Sequence, residues 1–350
     1  MSSPAATAAT TVRLTNAHPA LRPFWHPVVA SADVPEATPV AVRLLDEAWV
    51  LVRIDGRVHA LADRCPHRRV PLSAGRVVDG ALECRYHGYR FAGDGACVRI
   101  PALDATTPIP PKACVATAAA VEGFGLVWLA PDPPRAPLLD DAPYRDPEFD
   151  TFVSGPFVTT VGASVLTDNF LDAAHFPFLH ADTFGVDDDG RPVLDVTRDG
   201  WTIVQRTTRV TGGPQLTGNV VMHYEYVVAA PFAVALTLTG PEMGTNVIWS
   251  FCCPVTENRS VWWLVHAYDD LGHDAASIDA ARDFQTRVGV EDLGILERME
   301  DPNVTLDLRD EVHTRADLGT VEYRRLLRAV VDALGAEAEP TGPVPAGVSV

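Results

Sequence analysis

Lysine is almost absent from this chain. Lys112 is the only one in 350 residues, and arginine supplies every other base. Bases are scarce as a class, 28 against 46 acids, which leaves a net charge of −18. That balance excludes nucleic acid and anionic membranes as principal partners, because both are held by dense basic patches. Long apolar runs are missing as well: nothing approaches the roughly 18 uninterrupted apolar residues of a membrane-crossing helix. The opening, MSSPAATAATTVRLTNAHPA, has neither a basic start nor an apolar middle. Residues 1–20 therefore read as a frayed tail, and the expected compartment is the cytoplasm. There, six cysteines read as metal ligands or buried thiols and not as a disulfide framework. No Walker loop, Ser-His-Asp grouping, or nicotinamide or flavin fingerprint stands out.

What is present suits a folded, two-domain chain. Hydrophobic residues make up 47% and charged residues 21%, enough for a buried core. The length fits two domains of about 100–200 residues each. Residues 39–62 hold PVAVRLL, AWVLVRI and VHAL, apolar runs punctuated by Asp, Glu and Gly, which predict strands joined by tight turns. Further short strands are expected at 81–83, 90–91 and 125–130. Six prolines between Pro131 and Pro147 mark a linker. Beyond it, 163–179 has helical spacing. Five β-like runs follow, at 201–210, 217–230, 233–239, 246–255 and 260–268. Residues 273–299 predict a helix with Phe284, Val288, Ile295, Leu296 and Met299 facing inward, and 321–334 a last helix. The fold class is α+β: domains at 21–135 and 151–335, a linker at 136–150, and tails at 1–20 and 336–350.

Two constellations carry chemistry. In CPHRRVPLSAGRVVDGALECRYHGYRF, Cys65 and His67 lie two apart, Cys84 and His87 three apart, with sixteen residues between the pairs. Structural zinc takes two thiolates and two imidazoles, but its short loops usually pair like ligands. Here each loop offers one Cys and one His, so each can give one ligand to each iron of a [2Fe–2S] cluster. Of the other cysteines, Cys114, Cys252 and Cys253 lie in or beside apolar runs and read as buried, inert thiols.

The second constellation is LTDNFLDAAHFPFLH. Asp168, Asp172 and His175 fall at i, i+4 and i+7, one face of a helix. His180 would stand about 140° round from His175 on a continuous helix. Pro177 lies between them, and the break it makes can bring the two imidazoles together. Two His and a distant carboxylate form the facial triad of non-haem Fe(II) oxygenases. On the apolar face of VGVEDLGILERME, Asp292 and Glu291 are the candidate third ligands, and Asp168 is allowed on spacing alone. His223 and His266 lie in expected strands, where core or surface is the commoner fate and a substrate pocket the rarer one. Arg68 and Arg69 are either a solvated pair or a steering patch for an acidic ferredoxin.

Cys-x-His, sixteen residues, then Cys-x-x-His is the Rieske pattern. Followed by D-x3-D-x2-H-x4-H, it resembles the oxygenase subunits of Rieske non-haem iron oxygenases. FWHPVVASADVP, the cluster loops and NFLDAAHFPFLH look like the vanillate and dicamba demethylase branch. The resemblance implies an N-terminal all-β Rieske [2Fe–2S] domain and a helix-grip catalytic domain with one Fe(II). It implies cluster ligands Cys65, His67, Cys84 and His87, and iron ligands His175, His180 and Asp292. Asp172 would bridge the centres across subunits of a head-to-tail trimer, with Asn169 near the iron and Asp168 one shell out. O2 is the co-substrate, and electrons come from NAD(P)H through a separate reductase or ferredoxin. The implied reaction is monooxygenation of an aromatic or polycyclic molecule, by hydroxylation, demethylation or N-oxygenation. Ring cis-dihydroxylation and a non-catalytic electron carrier are the alternatives.

Overall fold

The computed structural model describes residues 12–184, 191–211, 220–241 and 243–334. The first domain is all β: β1 (His26–Ala30), β2 (Val40–Leu44), β3 (Glu47–Ile54), β4 (Arg57–Ala62), β5 (Arg76–Val78), β6 (Ala81–Glu83), β7 (Arg90–Phe91), β8 (Cys97–Arg99), β9 (Thr117–Gly123) and β10 (Leu126–Ala130). Six form one antiparallel sheet in the order β1-β10-β9-β4-β3-β2, and β5-β6-β7-β8 form a second. Asp-Gly at 55–56 and 79–80 turns two hairpins, both residues of each with positive φ, as two-residue loops of this hand require. Leu45 and Asp46 make the same turn without glycine (φ 52° and 66°). Their amides donate to Pro254 and Val255 of the second domain at 2.8 and 3.1 Å, a long-range reason for a locally poor turn sequence.

The second domain follows α1 (Ala142–Arg145) and contains β11 (Asp150–Thr159), α2 (Ala163–Leu171), α3 (Phe176–Leu179) and α4 (Ala181–Phe184). It continues through β12 (Asp195–Asp199), β13 (Thr202–Thr211), β14 (Val220–Ala229), β15 (Ala233–Gly240), β16 (Met243–Thr256), β17 (Arg259–Tyr268), α5 (Ala275–Leu296) and α6 (Leu318–Leu334). Seven strands form one antiparallel sheet, β11-β17-β16-β15-β14-β13-β12. Register places Phe152, His266, Ile248, Leu236, Tyr226 and Gln205 in one transverse row, all buried. Gln285 on α5 donates to Tyr268 at 2.7 Å, and Gln205 donates to the last carbonyl of α2 at 3.0 Å, tying both helices to that face.

The opposite face meets the first domain. Trp249, Phe251 and Trp263 pack with Phe124, Leu126 and Trp128, and Trp128 lies 4.7 Å from Phe251, edge-on. Trp262 and Trp263 are therefore both core residues, on opposite faces of β17, as alternation along a strand demands.

Several expectations fail for physical reasons. Residues 12–16 are not frayed. Leu14 is buried, and Asn16 donates to Thr256 O, Arg259 O and Ser260 Oγ while accepting the Ala163 amide at 3.0 Å. Asn16 thereby serves as the missing N-cap of α2, since Gly162 has no side chain to do so. The 163–179 helix breaks at Asp172, before Pro177. Asp172 turns its carboxylate onto the Ala174 amide at 2.7 Å, a local bond that competes with the helix. Pro177 instead opens α3, where its missing N–H costs nothing. The helix expected at 273–299 stops at Leu296, and Ile295 and Met299 are 47% and 48% exposed. Cys114 is exposed, unlike the buried Cys252 and Cys253. Strand β11, which carries no clean alternation, was not foreseen.

Candidate functional site

The two Cys/His loops are built alike. In each, the cysteine amide donates to the carbonyl five residues on (Cys65 to Val70, 2.9 Å; Cys84 to Tyr89, 2.8 Å). The residue four on returns a bond to the cysteine carbonyl (Arg69, 2.8 Å; Gly88, 3.0 Å). Both closing residues have positive φ, 61° and 68°. At Gly88 the positive φ and the 3.0 Å that would separate a Cβ from the Pro101 ring both favour glycine. The outcome is two buried thiols side by side and two exposed imidazoles whose rings are 4.5 Å apart. Burial pushes the Cys65 thiol up to about 11, with the neighbouring Cys84 adding to it. Tyr89 stacks on His67 at 4.8 Å. A thiol pair inside and an imidazole pair at the tip is the donor arrangement a [2Fe–2S] cluster with unlike irons needs.

The second group assembles on α3 and α5. His175, His180 and Asp292 each offer a ligand atom, all within 4.8 Å of one another. Nε2 of His175 is 3.5 Å and Nε2 of His180 3.1 Å from the same oxygen, Asp292 Oδ1. Donors sitting about 2.1 Å from one ion at right angles would stand about 3 Å apart, so the set fits a single metal. The break at Asp172 and the new turn starting at His175 make this possible, with the two rings 5.1 Å apart.

Electrostatics favours a cation here. Burial works against the charged form of His175, but Asp172 and Asp292 outweigh it and raise its pKa to about 9. Burial likewise opposes the Asp292 carboxylate, and the two imidazoles overcome it and hold the group below the usual range. A site that attracts a proton this strongly attracts a metal ion for the same reason. Asp172 lies 3.6 Å from His175 Nδ1, with its side chain one-third exposed.

Other residues fall elsewhere. Asp168 faces away, holding Arg324. Asn169 lies in the last turn of α2 and accepts the Asp172 amide at its carbonyl. Glu291 accepts from His180 Nδ1 at 2.7 Å, a role that spacing gave no sign of. Phe176, Phe184 and Phe284 form a half-buried aromatic group beside His180, assembled from two distant segments. His223 is exposed and bonded to Thr208, whereas His266 is fully buried against Phe152. Arg68 and Arg69 are exposed.

Comparison with known proteins agrees with this two-centre layout. Residues 24–117 match the Rieske [2Fe-2S] domain, and residues 160–333 match the vanillate O-demethylase oxygenase C-terminal domain. The chain is a Rieske non-haem iron oxygenase. It is 29% identical over 326 residues to methylxanthine N1-demethylase NdmA of Pseudomonas putida, covering 89% of this chain and 90% of that one. The structure of NdmA from P. putida CBB5 with caffeine superimposes with a TM-score of 0.79 at 28% identity, covering 91% and 93% of the two chains. Dicamba monooxygenase with bound dicamba shares the fold, with a TM-score of 0.77 at 24% identity over 90% of this chain and 99% of that one. This Rieske oxygenase is accordingly a monooxygenase component. It uses a [2Fe–2S] cluster, a mononuclear iron and O2, with electrons from a separate donor. No helix among its described residues is long and apolar enough to cross a membrane.

Proposed function

We propose that this oxygenase inserts one oxygen atom into a flat aromatic or heteroaromatic molecule, with removal of an N- or O-methyl group as the favoured outcome. The supporting observation is the convergence of His175, His180 and Asp292 beside the rings of Phe176, Phe184 and Phe284. Those faces suit a planar apolar substrate. The relative named for methylxanthine N1-demethylation points to a methylated heterocycle as the first class to try.

In this reading Cys65, His67, Cys84 and His87 hold the cluster, and His175, His180 and Asp292 hold the iron. Bound iron supplies reductive O2 activation. The protein orients the substrate, excludes water with the Phe group, and keeps Asp172 ionised against His175. Asp172 would bridge to His67 or His87 of a neighbouring subunit in a head-to-tail homotrimer. Both imidazoles are exposed, and Asp172 keeps a solvent-facing side. Asn169 lies beside this bridge in sequence and is assigned to the iron's surroundings. The electron donor is a ferredoxin or flavin reductase, and the setting is the cytoplasm.

The test is single turnover of the chemically reduced protein with ¹⁸O2 and a panel of methylated aromatics and heterocycles. One labelled oxygen in the product, or one equivalent of formaldehyde per substrate, supports the reading. A doubly labelled cis-diol, or no product from iron-replete protein across the panel, counts against it.

A further inference from the structure

His180 is the most enclosed of the three convergent residues, its side chain 1% exposed, and each ring nitrogen meets a different carboxylate. Nε2 faces Asp292 Oδ1 at 3.1 Å, and Nδ1 lies 2.7 Å from Glu291 Oε2. Glu291 is fixed in turn, because its other oxygen accepts the Thr183 hydroxyl. Thr183 closes the circuit through its amide, which donates to the His180 carbonyl at 3.0 Å. Among the described residues, His175 has no such support. Its Nδ1 is buried, 3.6 Å from Asp172 and beyond hydrogen-bond length.

We propose that Glu291, anchored by Thr183, is a positioning residue that fixes the tautomer and aim of His180. The inference rests on the reading of His180 and Asp292 as iron ligands. A carboxylate accepts, so Glu291 takes a hydrogen bond from Nδ1–H, which keeps the proton on that nitrogen and leaves the lone pair of Nε2 free for the metal. Its charge also makes the imidazole a better donor. Adjacent residues on a helix point about 100° apart, so Glu291 and Asp292 cannot reach the same edge of a ring. They straddle it instead. The Glu-Asp doublet thus does two jobs on one histidine, and half of the metal site is set before the metal arrives. Holding Glu291 by Thr183 prevents the carboxylate from swinging in as a competing ligand.

The experiment is anaerobic equilibrium dialysis of cluster-containing protein against Fe(II), with mononuclear iron taken as total iron minus acid-labile sulfide. The cluster spectrum and a thermal melt report folding. Outer partners of metal-bound histidines typically change affinity by about 10–100-fold. Glu291→Gln, nearly isosteric, should weaken binding about 10-fold, and Glu291→Ala about 100-fold. Thr183→Val should weaken it by less, and should add nothing in the Glu291→Ala background. Wild-type affinity in both Glu291 variants, with binding lost in His180→Ala, would overturn the positioning role and leave the ligand reading intact. Undiminished binding in His180→Ala or Asp292→Ala would overturn the ligand reading itself. Complete loss in Glu291→Gln, with binding retained in Asp292→Asn, would make Glu291 the ligand and overturn both.

Discussion

Asp168 and Arg324 form a two-pronged ion pair between α2 and α6, with Oδ2–Nη2 at 2.8 Å and Oδ1–Nε at 3.2 Å. Both side chains are nearly buried, and Glu311 adds a second acid to the arginine. Burial opposes the Arg324 charge, but the two carboxylates outweigh it and raise its pKa further. Arg324→Leu strands a buried carboxylate, for which the expected loss is about 3–5 kcal/mol. The double variant Asp168→Leu/Arg324→Leu should recover much of that. Denaturant unfolding followed by tryptophan fluorescence measures the cycle, and additive losses would show that the pair is not coupled.

The N-terminal strap gives a second prediction. Asn16→Ala removes three donated bonds and the cap of α2. Buried hydrogen bonds are worth about 1 kcal/mol each, so a loss of about 2–4 kcal/mol is expected, with the cluster spectrum unchanged. Asn16→Asp keeps the cap oxygen but turns a buried carboxylate oxygen onto the two carbonyls that Nδ2 served, and should lose at least as much as Asn16→Ala. A melting temperature for Asn16→Ala equal to wild type would mean the strap adds nothing.

Gly88 closes the second cluster loop at φ +68° with its Cβ position against Pro101. Gly88→Ala should strain the loop by about 1–2 kcal/mol and reduce the cluster retained on purification. Arg69 occupies the equivalent place in the first loop at φ 61°, so Arg69→Gly should be tolerated or mildly stabilising there. Iron-to-sulfide ratios and visible absorption distinguish these cases.

Acid stability follows from two buried histidines. Burial lowers the pKa of His26 to about 4 and of His266 to about 3. Above pH 6.5 both are neutral whether folded or unfolded, and neither affects the pH dependence. Below it the unfolded chain takes up protons that the folded chain refuses. Stability therefore falls as pH drops from 6.5 toward those values, by up to about 1.4 kcal/mol per unit for each group. His266→Phe removes one such group from a site where neither ring nitrogen has a hydrogen-bond partner among the described residues. Its stability relative to wild type should improve by about 2 kcal/mol between pH 6.5 and 5. Parallel pH profiles would contradict the low pKa.

The proximity of the candidate Cys and His side chains was legible in the sequence because it is local. Cys65 with His67, Cys84 with His87, and His175 with His180 each lie within one loop or turn, where spacing alone limits which atoms can meet. The strands of 39–62 and the late β runs were legible for the same reason: alternation and Asp-Gly turns act over a few residues. The α+β class followed from them.

Tertiary structure decided whatever spans the chain. Asp292 is 112 residues from His180, and only the packing of α5 on β11 and β17 tells which acid of the Glu-Asp doublet faces both imidazoles. The helix end at Asp172 depends on an Asx bond and on carbonyls taken up by Gln205 and Arg209 from β13. Leu45-Asp46 turns where it does because another domain's carbonyls await its amides. Residues 12–16 are ordered because Asn16 finds partners more than 140 positions away. Local propensity ranks conformations by about 1 kcal/mol per residue. Burial and satisfied hydrogen bonds across the fold override that ranking, and they operate between residues whose separation no short sequence window contains.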